Sequence, residues 1–206
     1  PYLEKCLDLI REKAERLGYE DHVYDALLDE YEPSMKTAEV TAVFSRLAGQ
    51  LAPLVSSIKD AGQVRTDFLT REFPAEAQER FGRKVLKEIG FDFERGRLDV
   101  STHPFTTTLG PHDVRLTTRY DNTYFATSLF GSIHEAGHGM YEQGIGEEIS
   151  GTVLGEAVSL GIHESQSRSW ENIIGRSRGF WNRFYPELAE IFPSQLSDVS
   201  LEEFYR

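Results

Sequence analysis

The sequence predicts a mainly α-helical body interrupted by one small antiparallel β-sheet. Three observations lead there: apolar residues recur at helical spacing along most of the 206 residues, one window (97–120) switches to alternating and β-branched residues, and no repeat, low-complexity run or linker marks a boundary. A single domain over residues 1–206 is therefore expected.

Each element has its own reason. In residues 2–17, Leu3, Cys6, Leu7, Ile10, Ala14 and Leu17 form one apolar stripe, and Gly18 stops the helix. A short helix is expected at 22–28, before Asp29-Glu30-Tyr31-Glu32-Pro33, whose proline turns Glu32 away from helical geometry. A long helix at 37–58 follows, with Val40, Val43, Phe44, Leu47, Leu51, Leu54, Val55 and Ile58 as its apolar face. Pro53 inside it is expected to kink or divide it. Pro74 opens a helix at 75–89 that Gly90 closes. In the β window, Leu98-Asp99-Val100 and Val114-Arg115-Leu116-Thr117-Thr118 read as strands, with Thr106-Thr107-Thr108-Leu109-Gly110-Pro111 as turn material between them. Helices resume at 122–143, at 153–174 and in shorter pieces over 181–192, and residues 201–206 read as the opening turn of another. The late aromatics Phe180, Trp181, Phe184, Tyr185 and Phe192 suit a hydrophobic core or a dimer surface.

Composition excludes several function classes. With 22 Lys and Arg against 34 Asp and Glu, the net charge of −12 repels phosphate backbones and anionic lipid, which argues against nucleic acid and membrane as partners. Cys6 is the single cysteine, so no internal disulfide and no Cys-rich zinc module can form, and a soluble, cytoplasmic protein is expected.

The chemistry-bearing motif is His134-Glu135-Ala136-Gly137-His138, the HExxH pattern of zinc peptidases. Residues four apart share one helix face, so both imidazoles can reach one metal while Glu135 stands beside them. Phe125, Leu129 and Ile133, with Tyr124, Met140 and Tyr141, make this helix look buried, and buried histidines need partners. A metal supplies one; two hydrogen-bonded core histidines are the alternative reading. A catalytic zinc takes three protein ligands and keeps one open position, and Glu164, 30 residues beyond His134 on the next expected helix, is the candidate third ligand.

Further motifs give this chain a family resemblance. Ile162-His163-Glu164-Ser165-Gln166-Ser167-Arg168, followed by Trp170-Glu171-Asn172, resembles the HES/GQ motif of the M32 metallocarboxypeptidases, the carboxypeptidase Taq family. His103-Pro104-Phe105 resembles its HPF motif and Asp113-Val114-Arg115-Leu116-Thr117 its DxRxT motif, in the family's order and spacing. The family's downstream I/GxxQA/GxxY motif has no counterpart here, so the chain is expected to be a central fragment of a longer catalytic domain.

The resemblance implies a helical, zincin-like metallopeptidase body with its small sheet near the active site. It implies Zn2+, or another divalent metal such as Co2+, held by His134, His138 and Glu164, with Glu135 as the catalytic residue. It also implies a peptide substrate with a free C-terminus and a homodimer in the full-length protein. Asp113 is a candidate to orient a ligand histidine, or else a turn aspartate accepting local N–H bonds. His103 is a candidate for the substrate groove, or a plain loop residue. Arg115, Arg119 and Arg168 are candidates to hold the substrate carboxylate, or structural ion-pair partners. Two alternatives stay open: a different metal enzyme with a two-histidine, one-carboxylate centre, and a catalytically silent helical binding module.

Overall fold

Helix α1 (Tyr2–Leu17) forms over the expected stripe and stops at Gly18, whose φ of 83° is open to glycine. In the computed structural model, which describes residues 1–206, it belongs to the first of two compact units, residues 1–63 with 159–161. Helix α2 (Val23–Leu28) is capped by His22, whose Nδ1 accepts from the Tyr24 N–H at 3.1 Å. Helix α3 (Thr37–Asp60) starts where the buried Asp25 carboxylate accepts from the Thr37 N–H (2.7 Å) and hydroxyl (2.5 Å), satisfying an orphan donor of the first turn. Pro53 does not divide α3, which runs on without interruption. The apolar face of α3 is open rather than buried; Phe44 is 64 % and Ile58 60 % exposed. Only Ala14 of the α1 stripe is buried.

The second unit comprises residues 64–158 and 162–206. Helix α4 (Ala75–Ile89) ends at Gly90 in a left-handed cap, where expected. Three strands follow, β1 (Gly96–Val100), β2 (Thr106–Gly110) and β3 (Asp113–Thr118), then α5 (Phe125–Gln143), the helix that carries the HExxH pattern. Helix α6 (Leu160–Arg168) passes into a π turn over Ser169–Ile174. Helices α7 (Arg178–Ile191), α8 (Pro193–Leu196) and α9 (Leu201–Tyr205) complete the unit.

The small sheet is present, but it is mixed rather than antiparallel. Its order is β1-β3-β2, with β2 antiparallel and β1 parallel to the central β3. The five residues 101–105 carry the chain from β1 past two strand spacings of about 4.8 Å each, a distance within the reach of about 3.3 Å per extended residue. That leaves a slot for β3 between β1 and β2. Thr106–Gly110, expected as turn material, is itself a strand, because three β-branched threonines in a row suit pairing with Leu116, Arg115 and Val114. The expected helix at 153–174 is also shorter. Thr152 caps only a 3-10 turn (Val153–Gly155), the chain extends at Glu156, and helix resumes at Leu160.

The sheet and α4 fix α5 in place. Gln78, buried on α4, donates to the Phe73 and Asp121 carbonyls and accepts from the Ser128 hydroxyl at 2.5 Å. Thr118 of β3 accepts from Ser132 at 2.9 Å, so two turns of α5 are held by buried, satisfied polar groups. Around them Phe73 packs on Phe125 (ring centroids 4.9 Å) and edge-on to Phe192 (5.0 Å). The late aromatics Phe180, Trp181, Phe184, Tyr185 and Phe192 are all buried here, each contributing roughly 1.5–3 kcal/mol of apolar burial. They are core, not surface.

Candidate metal centre

Two helices build the site, and a glycine lets them meet. A Cβ on Gly137 of α5 would sit 2.5 Å from the Ser167 Cα of α6, so the missing side chain permits backbone-close packing inside the HExxH pattern itself. That approach brings Glu164 of α6 to the histidines of α5. Glu164 Oε2 lies 3.6 Å from His134 Nε2 and 3.2 Å from His138 Nε2, and one ligand atom from each of the three residues lies within 4.8 Å of the others.

Both imidazoles aim the same nitrogen at Glu164 because the other is engaged. His134 Nδ1 lies 3.0 Å from Glu171 Oε2, and His138 Nδ1 lies 2.9 Å from His163 Nδ1. His163 Nε2 in turn lies 2.9 Å from Glu142 Oε1. Burial, then the neighbouring His163 and His134, push the His138 pKa down and favour the neutral ring that a metal requires. Burial works to raise Glu164, but Arg168 (Nε to Oε1, 2.7 Å) and Ser167 (3.1 Å to Oε2) outweigh it and hold its carboxyl below the usual range.

This donor set fits a small divalent cation. Metal–ligand distances of about 2.0–2.1 Å in a tetrahedral site put neighbouring donors about 3.3 Å apart, close to the two distances from Glu164 to the histidines. Without a cation, two ring nitrogens and a carboxylate oxygen would share one space with few hydrogens among them.

Glu135 stands beside the donors, on the next residue of α5, and is 7 % exposed. Its Oε2 accepts from the Thr106 hydroxyl of β2 at 2.7 Å. Burial raises its pKa, against the lowering by that hydroxyl and by His134. A buried carboxylate with a raised pKa next to a metal-type donor set is suited to taking up and returning a proton.

The other sequence candidates have different places. Asp113 does not orient a histidine; its carboxylate is held by Arg115 at 2.7–2.8 Å within β3, where residues two apart lie on the same face of the strand. The carboxylate on His134 is that of Glu171. Arg115 is accordingly an ion-pair partner, Arg119 is exposed beyond the end of β3, and Arg168 bridges Glu164 and Glu171. His103 lies exposed in the β1–β2 connection, near enough to Glu135 to favour its charged form. Sequence reasoning assigned no role to Thr106, Glu142, His163 or Glu171. The i,i+4 spacing of His138 and Glu142 and the adjacency of His163 to Glu164 were available signals.

Two histidines and a glutamate on packed helices, with a buried glutamate at the next position, form the donor arrangement of a metallopeptidase centre. The family model described as carboxypeptidase Taq (M32) metallopeptidase matches residues 1–206. Among curated relatives, thermostable carboxypeptidase 1 of Thermus thermophilus is 48 % identical over 216 residues, covering all of this chain and 42 % of the relative. Carboxypeptidase 1 of Bacillus subtilis is 45 % identical over 207 residues, covering all of this chain and 41 % of the relative. The crystal structure of an M32 carboxypeptidase from Deinococcus radiodurans superposes with a TM-score of 0.96 at 46 % identity, over 100 % of this chain and 41 % of that one. This chain belongs to the carboxypeptidase Taq (M32) metallopeptidase family. It spans about two fifths of the length of the relatives it matches.

Proposed function

We propose that the chain carries the metal centre and the proton-transfer group of a zinc-dependent metallocarboxypeptidase, as one piece of a larger catalytic domain. The observation that carries this reading is the convergence of His134 Nε2, His138 Nε2 and Glu164 on one point, with Glu135 buried beside it. A two-histidine, one-glutamate set suits zinc, and Co2+ is an accepted alternative for the same donors. When bound, a divalent metal there supplies Lewis-acid polarisation of a water and of the scissile carbonyl.

The chain's own residues do the rest. Glu135 takes the proton from the attacking water and returns it to the departing amine. Thr106 fixes one oxygen of that carboxylate, so the proton acceptor has a defined direction. Glu171 holds the His134 ring in the orientation that presents Nε2. His103, exposed in the β1–β2 connection and close enough to influence Glu135, is the proposed substrate-groove contact.

A peptide with a free C-terminus is the proposed substrate, and Arg119, which has no carboxylate at ion-pair distance, is the arginine best suited to meet its carboxylate. The same reading makes the full-length protein a cytoplasmic homodimer. The lone Cys6 supports the compartment, no helix is long and apolar enough to cross a membrane, and a monomeric mass in solution would count against the dimer. The test of function is release of the C-terminal residue from N-blocked dipeptides with and without chelator. Loss on chelation and return with Zn2+ is expected; release indifferent to chelator defeats the reading.

A further inference from the structure

We propose that His163 and Glu142 form a relay that positions His138 as a metal ligand, so that metal affinity depends on two side chains that never touch the ion. This rests on the metal reading given above. The argument follows the hydrogens. Glu142 Oε1 is a carboxylate oxygen and can only accept, so the hydrogen in its 2.9 Å bond lies on His163 Nε2. A neutral imidazole with its hydrogen on Nε2 has a bare Nδ1. That atom lies 2.9 Å from His138 Nδ1, and two nitrogens at this distance bond only if one carries a hydrogen. With His163 neutral, it is His138 that donates. With its hydrogen on Nδ1, His138 has its lone pair on Nε2, the atom facing Glu164 at 3.2 Å.

The two ligand histidines are therefore supported differently. His134 meets a carboxylate directly, whereas His138 reaches one through a second ring. Tyr141 fixes that ring, standing edge-on to His163 with centroids 4.9 Å apart. The relay also ties α5 to α6, because His138 and Glu142 are one turn apart on the first helix and His163 precedes Glu164 on the second. Without it, His138 is free to carry its hydrogen on Nε2, inside the metal site, or to swing away from it. His163 and Glu142 are thus positioning residues for His138.

The experiment is Co2+ titration of the chain, read by visible absorption and by competition with a chelator. Variants are His163→Phe, Glu142→Ala and Glu142→Gln, and the melting temperature of each metal-free form is recorded alongside. His163→Phe is expected to weaken Co2+ binding about 10–100-fold and to change the spectrum. Glu142→Ala should follow it, while Glu142→Gln, whose amide oxygen still accepts from His163, retains most of the affinity. The metal-free melting temperatures should stay near that of the parent. Parent-like affinity in both His163→Phe and Glu142→Ala overturns the relay alone. So does a loss in all three variants that merely tracks a lowered metal-free melting temperature. A parent chain that takes up no Co2+ overturns the relay together with the metal reading beneath it.

Discussion

Glu135 is where the local environment and the chemistry meet most directly. Burial makes its carboxylate reluctant to ionise, and the Thr106 hydroxyl offsets part of that reluctance. On the proposed reading, Glu135→Gln keeps the shape and the metal donors but removes the proton acceptor, so metal uptake should persist while kcat of the full-length protein falls by about 10² to 10⁴. Full activity in this variant would contradict the role. Thr106→Val removes the bond that favours the anion and leaves burial unopposed. The acid limb of the kcat/KM profile should then move to higher pH, which a pH–rate series on the active protein would show.

His134, Glu135, His138 and Glu164 were nameable as candidates from the sequence, because helical spacing puts both histidines on one face with Glu135 next to them and Glu164 lies in a second motif on the following helix. The residues that orient them were not. Asp113 instead meets Arg115, two residues further along the same face of β3, while Glu171 reaches His134 only through the packing of α6 and its π turn on α5. Such partners depend on tertiary contact, which single-sequence spacing does not encode.

Among the elements, the constraint that bears on the site is the crossing of α5 and α6 at Gly137. Gly137→Ala places a methyl group 2.5 Å from the Ser167 Cα, against backbone that cannot rotate aside. The helices must separate, at a cost of about 1–3 kcal/mol for overpacking, and Glu164 moves with α6. A lowered melting temperature together with at least roughly tenfold weaker metal binding is expected, since the displaced carboxylate is one of three donors. Thermal unfolding of the metal-free chain and a metal titration check the two effects separately. Helices α1, α4 and α5 could be read nearly to the residue because their apolar spacing and terminal Gly or Pro signals agreed. Strand β2 could not, since Gly110-Pro111 beside three threonines carries turn and strand signals at once. The sense of β1 depends on which side of β3 the chain passes, and the periodicity of β1 is the same either way.

For the whole molecule, the second unit is tied across its sequence by charge as well as by its aromatic core. Arg65 and Arg71 both grip Asp67 and Asp198, joining the unit's first turn to its last loop. The arginine hydrogen bonds hold both carboxyls below their ordinary pKa. Groups depressed in the folded state stabilise it above their unfolded pKa, and that contribution is lost as pH falls through the folded values. Asp198→Asn should therefore raise the midpoint pH of acid unfolding, followed by circular dichroism; an unchanged midpoint would show that the cluster contributes nothing. The first unit differs, because the apolar faces of α1 and α3 are largely open. Hydrophobic spacing predicted these helices correctly but not their exposure, since periodicity reports which face is apolar and not what covers it. The central claim concerns the second unit, that His134, His138 and Glu164 hold one metal. Anomalous diffraction from a Zn2+-soaked crystal tests it most directly. A single peak about 2.0–2.2 Å from both Nε2 atoms and from a Glu164 oxygen is the expected result, and a zinc peak bound elsewhere, with none between these three side chains, would contradict it.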